Sequence, residues 1–344
     1  MNSLAVIFFI ALASVAVQVA HATPLDSLAG GQTGRIEFNS ITPTSVWTYV
    51  RRNTTDTTPV TVYGDLLLPK NVSAKVPALV LSHGSSGVSP FACEVWAARM
   101  NAAGVAVFIV DSFKPRGIGE SVHDQGVLSP AANVADALNG LRVLATHPAV
   151  DASRIYHIGF SRGGTAAFYT AWPMYQAPVD TGGARFAGHI PVYPGMCNIR
   201  YRADAGVRAT APIFIAAADR ALEDWGDSAV CERYARELAA SGQPVTYKEY
   251  PGTYHSWDGR GKFAYYQDAT TGKPCDMELQ MTTVPGGGLG RNARDLKTGR
   301  TLDTIPEWSA AVKACTANAR LRAGGNEEQS DVLVRDVLTF MGMK

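Results

Sequence analysis

One serine in this sequence has surroundings that favour covalent chemistry. Residues 159–163 read Gly-Phe-Ser-Arg-Gly, after an apolar run and before a small-residue segment. This pattern predicts a strand, a sharp turn and a helix, with Ser161 at the turn in an unusual backbone conformation. Neighbouring backbone then leaves room only for small residues two positions to either side, where Gly159 and Gly163 stand. The hydroxyl would lie at a helix N-terminus, whose N–H groups favour developing negative charge, so the pattern indicates a nucleophile for acyl transfer.

Such a nucleophile needs hydrogen-bond donors for the oxyanion that forms on attack. Upstream, residues 76–82 read Val-Pro-Ala-Leu-Val-Leu-Ser, an apolar run typical of a buried parallel strand, and a small-residue loop follows at 83–87. We expect the backbone N–H groups of Ser85 and Arg162 to form the oxyanion hole. His83 ends a different strand and precedes the serine, so we expect it to shape the loop and not to act as the base.

The base is expected in the loop after the last strand of the sheet. Residues 244–250 alternate β-branched and aromatic types, which predicts a strand, and the following loop contains His255. The chain has seven histidines, and none of the others lies in such a loop. His157 falls inside the strand below the serine, where a packed, hydrogen-bonded role is expected. We therefore predict that His255 is the general base.

The third member of a triad is a carboxylate that holds the imidazole in the required tautomer. Residues 212–218 form an apolar predicted strand, and the loop after it carries four acidic residues. Asp224 is our first choice, followed by Asp219 and Glu223. The sequence alone leaves all three open.

Six segments, in this order, resemble the dienelactone hydrolase family of α/β-hydrolases, in the branch with a serine nucleophile. They are His-Gly-Ser-Ser-Gly at 83–87, Asp-Ser-Phe-Lys-Pro-Arg-Gly at 111–117, Gly-Phe-Ser-Arg-Gly-Gly at 159–164, Tyr-Pro-Gly at 193–195, Asp224-Trp225 followed by Cys231, and Tyr-Pro-Gly-Thr-Tyr-His at 250–255. The resemblance spans roughly residues 60 to 260. It implies an α/β-hydrolase fold, with a mostly parallel central sheet and helices on both faces, and a dienelactone-hydrolase-like esterase.

The chain departs from that family at three places. Dienelactone-cleaving members carry a cysteine nucleophile, whereas Ser161 favours general ester chemistry. The family usually has its acid in Gly-x-x-Asp-Asp-Trp, whose first aspartate corresponds to Glu223, and the loop here is slightly longer. Residues 259–320 have no clear counterpart; we expect a long segment without regular structure that either covers the mouth of the active site or packs outside the body.

Composition and patterning agree with one α/β domain. The chain has 344 residues and a net charge of +1, which gives no sign of a nucleic-acid partner. Predicted strands lie near 61–68, 77–83, 105–110, 155–160, 189–193, 212–218 and 245–250. Predicted helices lie near 93–103, 130–146, 163–173, 228–241 and 328–341. We expect a single domain over residues 23–344, with the unmatched segment as a late insertion.

The N-terminus has the pattern of a secretion signal. Residues 4–20 are apolar and uncharged, and Ala-His-Ala at 20–22 fits a cleavage site, so the mature chain is expected to begin at Thr23. The alternative is an uncleaved membrane anchor. We expect a secreted or periplasmic protein, with no membrane association after cleavage.

An oxidising compartment would allow disulfides among the five cysteines. The candidate pairings are Cys197 with Cys231 and Cys275 with Cys315, which leave Cys93 as a buried thiol. Spacing alone does not fix connectivity. The cysteines and histidines show no metal-ligand spacing, so we expect no metal and no cofactor.

Three residues are candidates for substrate binding. Arg116 could bind a substrate carboxylate, or it could hold its own loop by pairing with Asp111 or Glu120. Trp225 and Trp257 flank the acid and the base and could form the walls of an acyl or aromatic pocket.

The sequence thus favours a secreted serine hydrolase that cleaves small-molecule carboxylic esters through an acyl-enzyme. A serine peptidase of the same fold and a polyester or plant-wall esterase are the alternatives within this chemistry. A catalytically inactive binding protein is the alternative from another class. The oligomeric state and the natural ester are not predicted.

Overall fold

The computed structural model describes residues 23–52, 55–203, 206–259, 262–281 and 293–343. Its strands are β1 (Gly34–Pro43), β2 (Thr57–Leu67), β3 (Val76–Ser82), β4 (Ala106–Asp111), β5 (Val150–Phe160), β6 (Gly188–Val192), β7 (Ile199–Ala203), β8 (Ile213–Ala218), β9 (Val245–Tyr250), β10 (Ala264–Thr271), β11 (Met277–Met281), β12 (Ala293–Asp295), β13 (Arg300–Leu302) and β14 (Ala317–Ala323). Its helices are α1 (Val46–Val50), α2 (Val95–Ala102), α3 (Pro130–Leu144), α4 (Arg162–Tyr169), α5 (Pro173–Gln176), α6 (Ser228–Ala240), α7 (Ile305–Cys315) and α8 (Glu327–Phe340).

An eight-stranded sheet with the order β1-β2-β4-β3-β5-β6-β8-β9 forms the centre of the fold. From β4 to β9 neighbouring strands are parallel, whereas β1 and β2 are added antiparallel at one edge. The inner strands are buried on both faces, which explains their continuous apolar sequences. Helices α3, α4 and α6 pack on one face, and α2 and α8 on the other. The predicted α/β-hydrolase fold is confirmed.

Each of the seven predicted strands matches a strand of this sheet. The predicted helix at 163–173 is divided into α4 and α5, and β1 was not predicted. β1 pairs along its whole length with β2 and mixes polar with apolar positions, as expected for an edge strand with one buried face. Its mixed sequence is a weaker strand signal than the continuous apolar runs of the inner strands.

The described residues of the segment 259–320 form a structured insertion, so for them the expectation of an irregular segment is wrong. β10 pairs antiparallel with β14. β11 lies parallel to β7 in a second sheet with the order β13-β12-β11-β7. A buried ion pair ties this insertion to the body, because the Arg200 guanidinium donates to Asp276 over 2.7 Å. The glycine-rich stretch 285–290 lies outside the described residues.

Both candidate disulfides are present: Cys197 is bonded to Cys231, and Cys275 to Cys315. Cys93 is a buried free thiol. The first bond joins the loop after β6 to α6, and the second joins the loop after β10 to the end of α7. The predicted signal peptide, residues 1–22, falls outside the described residues. In the part of the chain that is described, no helix is both long and apolar enough to cross a bilayer.

Two buried histidines, on the neighbouring strands β5 and β6, contact the end of α4. The His157 ring is hydrogen-bonded at Nε2 to Ser82 Oγ (2.8 Å) and at Nδ1 to Thr170 Oγ1 (2.7 Å). His189 Nδ1 contacts the same Thr170 hydroxyl at 3.1 Å. Burial lowers the pKa of His157 well below 6.5 and that of His189 to about 3. Both imidazoles are therefore neutral parts of the core, the role expected for His157.

This burial predicts sensitivity to acid. The unfolded chain takes up a proton at residue 189 near pH 6.5, whereas the folded chain does so only near pH 3. Between these values the folded state loses about 1.4 kcal/mol of stability per pH unit for such a group. We expect His189→Gln to flatten the decline in the free energy of unfolding between about pH 6.5 and pH 5, measured by urea denaturation. The exposed His123→Gln is the control, and an unchanged slope in His189→Gln would contradict the prediction.

Candidate active site

Ser161 lies at a sharp elbow between β5 and α4. Its backbone angles are φ 54° and ψ −112°, in a region that non-glycine residues rarely occupy. A Cβ at residue 159 would lie 2.0 Å from the carbonyl oxygen of Gly163, and one at residue 163 would lie 2.1 Å from that of Ser82. Only glycine fits at these two positions. The elbow therefore has the local structure that the sequence predicts.

His255 reaches the serine from the loop that follows β9. Its Nε2 lies 2.9 Å from Ser161 Oγ, and its side chain is buried. The chain just after β14 holds this loop in place, because the Gly324 N–H donates to the His255 carbonyl over 2.9 Å. Two residues that are far apart in sequence thus meet at the carboxyl edge of the sheet. The pair has the geometry of a nucleophile and its general base.

Glu223 is the carboxylate that contacts the imidazole. Its two oxygens lie 3.0 and 3.1 Å from His255 Nδ1, and the carboxylate is buried. The Trp225 N–H donates to Glu223 Oε1 over 2.8 Å, and Lys273 of the insertion donates to the Glu223 carbonyl. The carboxylate is therefore fixed by the Trp225 N–H, and the Glu223 backbone by Lys273.

The structure contradicts the choice of Asp224. Its carboxylate faces away from His255 and accepts from the Arg322 guanidinium at 2.6 and 2.8 Å. Hydrogen bonds from Arg322 lower the pKa of Asp224, so this carboxylate stays ionised within that pair. The Asp219 carboxylate also has a partner other than His255, because it accepts from the Gly252 N–H over 2.8 Å. The correspondence of Glu223 with the family's first aspartate was the sequence signal that pointed to the residue found here.

The two expected oxyanion donors lie beside the nucleophile. Arg162 is the first residue of α4, so its N–H has no acceptor within the helix. The loop at 83–87 is close, because a Cβ on Gly84 would lie 3.5 Å from Ser161 Cβ. Ser85 and Arg162 line the same cavity as Ser161. The Ser121 N–H donates to the Ser85 carbonyl over 2.8 Å and holds the loop.

The Arg162 side chain has a structural role. Its guanidinium donates to Asn133 Oδ1 at 3.0 Å and to the Gln125 carbonyl at 3.1 Å. Burial lowers the pKa of Arg162 to about 10. His83 is structural as well, since its Nε2 accepts from the Ser112 N–H at 3.1 Å. These contacts fix the start of α4 and the loop at 83–87, which carry the two backbone donors.

Arg116 does not reach the active site, which corrects its assignment to substrate binding. Its guanidinium forms a two-point contact with Asp136, at 2.8 and 2.9 Å, and this pair is buried. It also donates to the Ser112 and Ile41 carbonyls. The role of holding a loop was among the expectations, but the partner is Asp136 and not Asp111 or Glu120. A buried guanidinium that is fully engaged in this way is unavailable to a substrate.

The two tryptophans differ in position. The Trp225 ring stacks on the His255 ring, with centroids 5.1 Å apart and an interplanar angle of 18°, and it lines the active-site cavity. Trp257 is fully buried between Tyr193 and Tyr250, so the prediction that it contacts substrate is wrong. Trp257 packs in the same core cluster as Leu333 and Val337 of α8.

A cavity of about 640 Å³ opens at Ser161. A smaller cleft of about 190 Å³ lies beside it and shares Ser161, His255 and Trp225. The insertion contributes to this site, because α7 forms one wall of the larger cavity. Of the two expectations for the insertion, the position over the active-site mouth is the one observed.

Comparison with known proteins agrees with this architecture. The sequence profile of the dienelactone hydrolase family matches residues 62–275, which is more than half of the chain. No curated protein matches this chain. Similar solved structures include esterase 2 of Thermogutta terrifontis phosphonylated by cyclosarin (17% identity, TM-score 0.47, covering 58% of this chain and 81% of that one) and the same esterase with butyrate bound (16%, 0.47, 63% and 86%). The family match is decisive: the chain belongs to the dienelactone hydrolase family of α/β-hydrolases and is a carboxylic ester hydrolase.

Proposed function

We propose that this protein hydrolyses carboxylic esters through an acyl-enzyme on Ser161. The Ser161 hydroxyl attacks the acyl carbon, and His255 Nε2 takes its proton. The alcohol then leaves with that proton as the tetrahedral intermediate collapses. Water, activated by the same imidazole, releases the acid and restores the serine. Neither a metal nor a cofactor has a part in this sequence of steps.

The observation that carries the proposal is the chain of contacts from Ser161 Oγ to His255 and on to Glu223. Glu223 would hold the proton on Nδ1, so that Nε2 is free to accept one from the serine, and would stabilise the imidazolium that forms. The assigned acid is thus Glu223 in place of Asp224.

The backbone N–H groups of Ser85 and Arg162 would bind the oxyanion. The strained elbow supports this role, because it exposes the Ser161 hydroxyl at the start of α4, where unpaired N–H groups point outward. Loss of one such donor typically lowers kcat by about 10²–10³-fold. The stacked Trp225 ring would shield the imidazole from water.

We also propose that the mature protein is secreted or periplasmic. The apolar leader with its Ala-His-Ala cleavage pattern supports export, and two disulfides fit an oxidising compartment. N-terminal sequencing of the exported protein should begin at Thr23, and an intact leader on the exported chain would contradict the proposal.

The direct test of the enzymatic proposal is turnover of para-nitrophenyl butyrate by the purified chain. We expect release of para-nitrophenol that continues after one equivalent and stops on treatment with a fluorophosphonate. Continued turnover at the original rate after this treatment would contradict a serine acyl-enzyme.

A further inference from the structure

The nucleophile stands at the junction of two cavities of unequal size. The larger, about 640 Å³, and the smaller, about 190 Å³, share Ser161, His255 and Ser85. An ester held at Ser161 has two halves that diverge from the reacting carbonyl. One half must therefore enter the large cavity while the other lies in the small cleft. The structure favours an ester with one bulky and one small side.

The walls of the large cavity indicate the character of the bulky side. Aromatic rings line it, among them Tyr169, Tyr201 and Trp308. The Tyr201 ring lies 6.1 Å from that of Tyr169 and 5.7 Å from that of Trp308, so the three rings form one continuous surface. Met196 and Leu279 add apolar wall. Apolar walls with aromatic rings suit an aromatic or fused-ring group, which can bury its faces against them.

Helix α7 of the insertion closes this cavity with one face. The helix residues that line the cavity are at helical spacing, namely Ile305, Trp308, Ser309, Val312 and Lys313, and Thr316 just after the helix lines it as well. A capping box between Thr304 and Glu307 stabilises the start of the helix, and the disulfide with Cys275 ties its end, at Cys315, to the loop after β10. Trp308 is buried and packs against the Tyr201 ring, which holds the helix against the cavity.

We propose that the cavity beneath α7 binds a bulky aromatic group of the ester substrate, and that α7 determines this size preference. The inference rests on the proposed ester hydrolysis and names the substrate class for the same site. A small ester such as methyl acetate leaves the aromatic walls uncovered and gains none of their binding energy. A fused-ring group covers them and is held with its carbonyl at Ser161.

Two isomeric esters test the preference without a change in composition. Methyl naphthylacetate carries the ring on the acyl side, and naphthylmethyl acetate carries it on the alcohol side; methyl acetate is the small reference. We expect kcat/KM for one naphthyl isomer to exceed that for methyl acetate by at least about tenfold, as burial of a ring system implies. Proton release in a pH-stat measures all three esters alike.

A pair of adjacent substitutions tests the role of α7. Both residues are exposed, but Ser309 lines the cavity and Ala310 does not. We expect Ser309→Trp to lower the ratio of kcat/KM for the preferred naphthyl ester to that for methyl acetate by at least about tenfold. Ala310→Trp should leave the ratio unchanged. If Ser309→Trp does not fold, Ser309→Phe should give a smaller loss in the same direction.

The outcomes separate the two proposals. Hydrolysis of all three esters with similar kcat/KM, or equal effects of the Ser309 and Ala310 variants, overturns the assignment of the cavity and leaves the proposed function standing. Absence of any hydrolysis, together with absence of fluorophosphonate labelling, overturns the proposed function and this inference with it.

Discussion

Replacing Ser161 with alanine is expected to lower kcat for para-nitrophenyl butyrate by at least about 10⁴-fold. The alanine variant keeps the oxyanion donors but has no hydroxyl to form the acyl-enzyme. The fold should persist, because an alanine Cβ occupies the same space as that of serine at the elbow. Steady-state kinetics with an active-site titration of the wild type measures the loss.

Ser153→Ala is the matched control, since this serine is exposed near the other end of β5. It should retain wild-type kinetics. Near wild-type turnover in Ser161→Ala, with circular dichroism and Tm unchanged, would refute the assignment of the nucleophile.

The second large effect is expected at the acid. Glu223→Gln keeps the size of the side chain but removes the charge that orients and stabilises the imidazolium. A comparable change in a serine protease triad costs about 10⁴-fold in kcat, so we expect a loss of about 10³–10⁴-fold. Asp224→Asn should cost less than about tenfold, because Asp224 pairs with Arg322 and not with His255.

The stability of the two variants provides a second comparison. The Asp224–Arg322 pair is partly exposed, so its loss should lower the free energy of unfolding by about 1 kcal/mol or less. Equal losses of kcat in the two variants, or a larger loss in Asp224→Asn, would contradict the assignment of Glu223.

Much of the fold could be predicted from the sequence, because its signals are local. The inner strands are short apolar runs separated by helices, and this pattern determines a parallel sheet. The glycines at the elbow and the position of His255 after the last strand located two members of the site. Each signal depends on neighbouring residues and on strand order alone.

The acid could not be resolved in this way. Glu223 and Asp224 are adjacent on one loop, and which of them faces His255 depends on the direction of each side chain. Arg322, 98 residues away on β14, accounts for the orientation of Asp224. No pattern in the residues around position 224 predicts that contact.

The insertion and the tryptophan pair illustrate the same limit. β11 pairs with β7 across the intervening chain. Its five residues alone therefore do not predict a strand, because the strand depends on a partner that is distant in sequence. Trp225 and Trp257 have similar surroundings in sequence, yet the first stacks on His255 and the second enters the core. Tertiary packing decides between these outcomes.

Mapping the site of covalent modification tests the central claim most directly. The purified protein is treated with a fluorophosphonate, digested and analysed by peptide mass spectrometry. We predict a single phosphonyl adduct, on Ser161, formed much more slowly in a His255→Ala variant because the hydroxyl then lacks its base. An unmodified Ser161 peptide, or an adduct on another serine, would contradict the account.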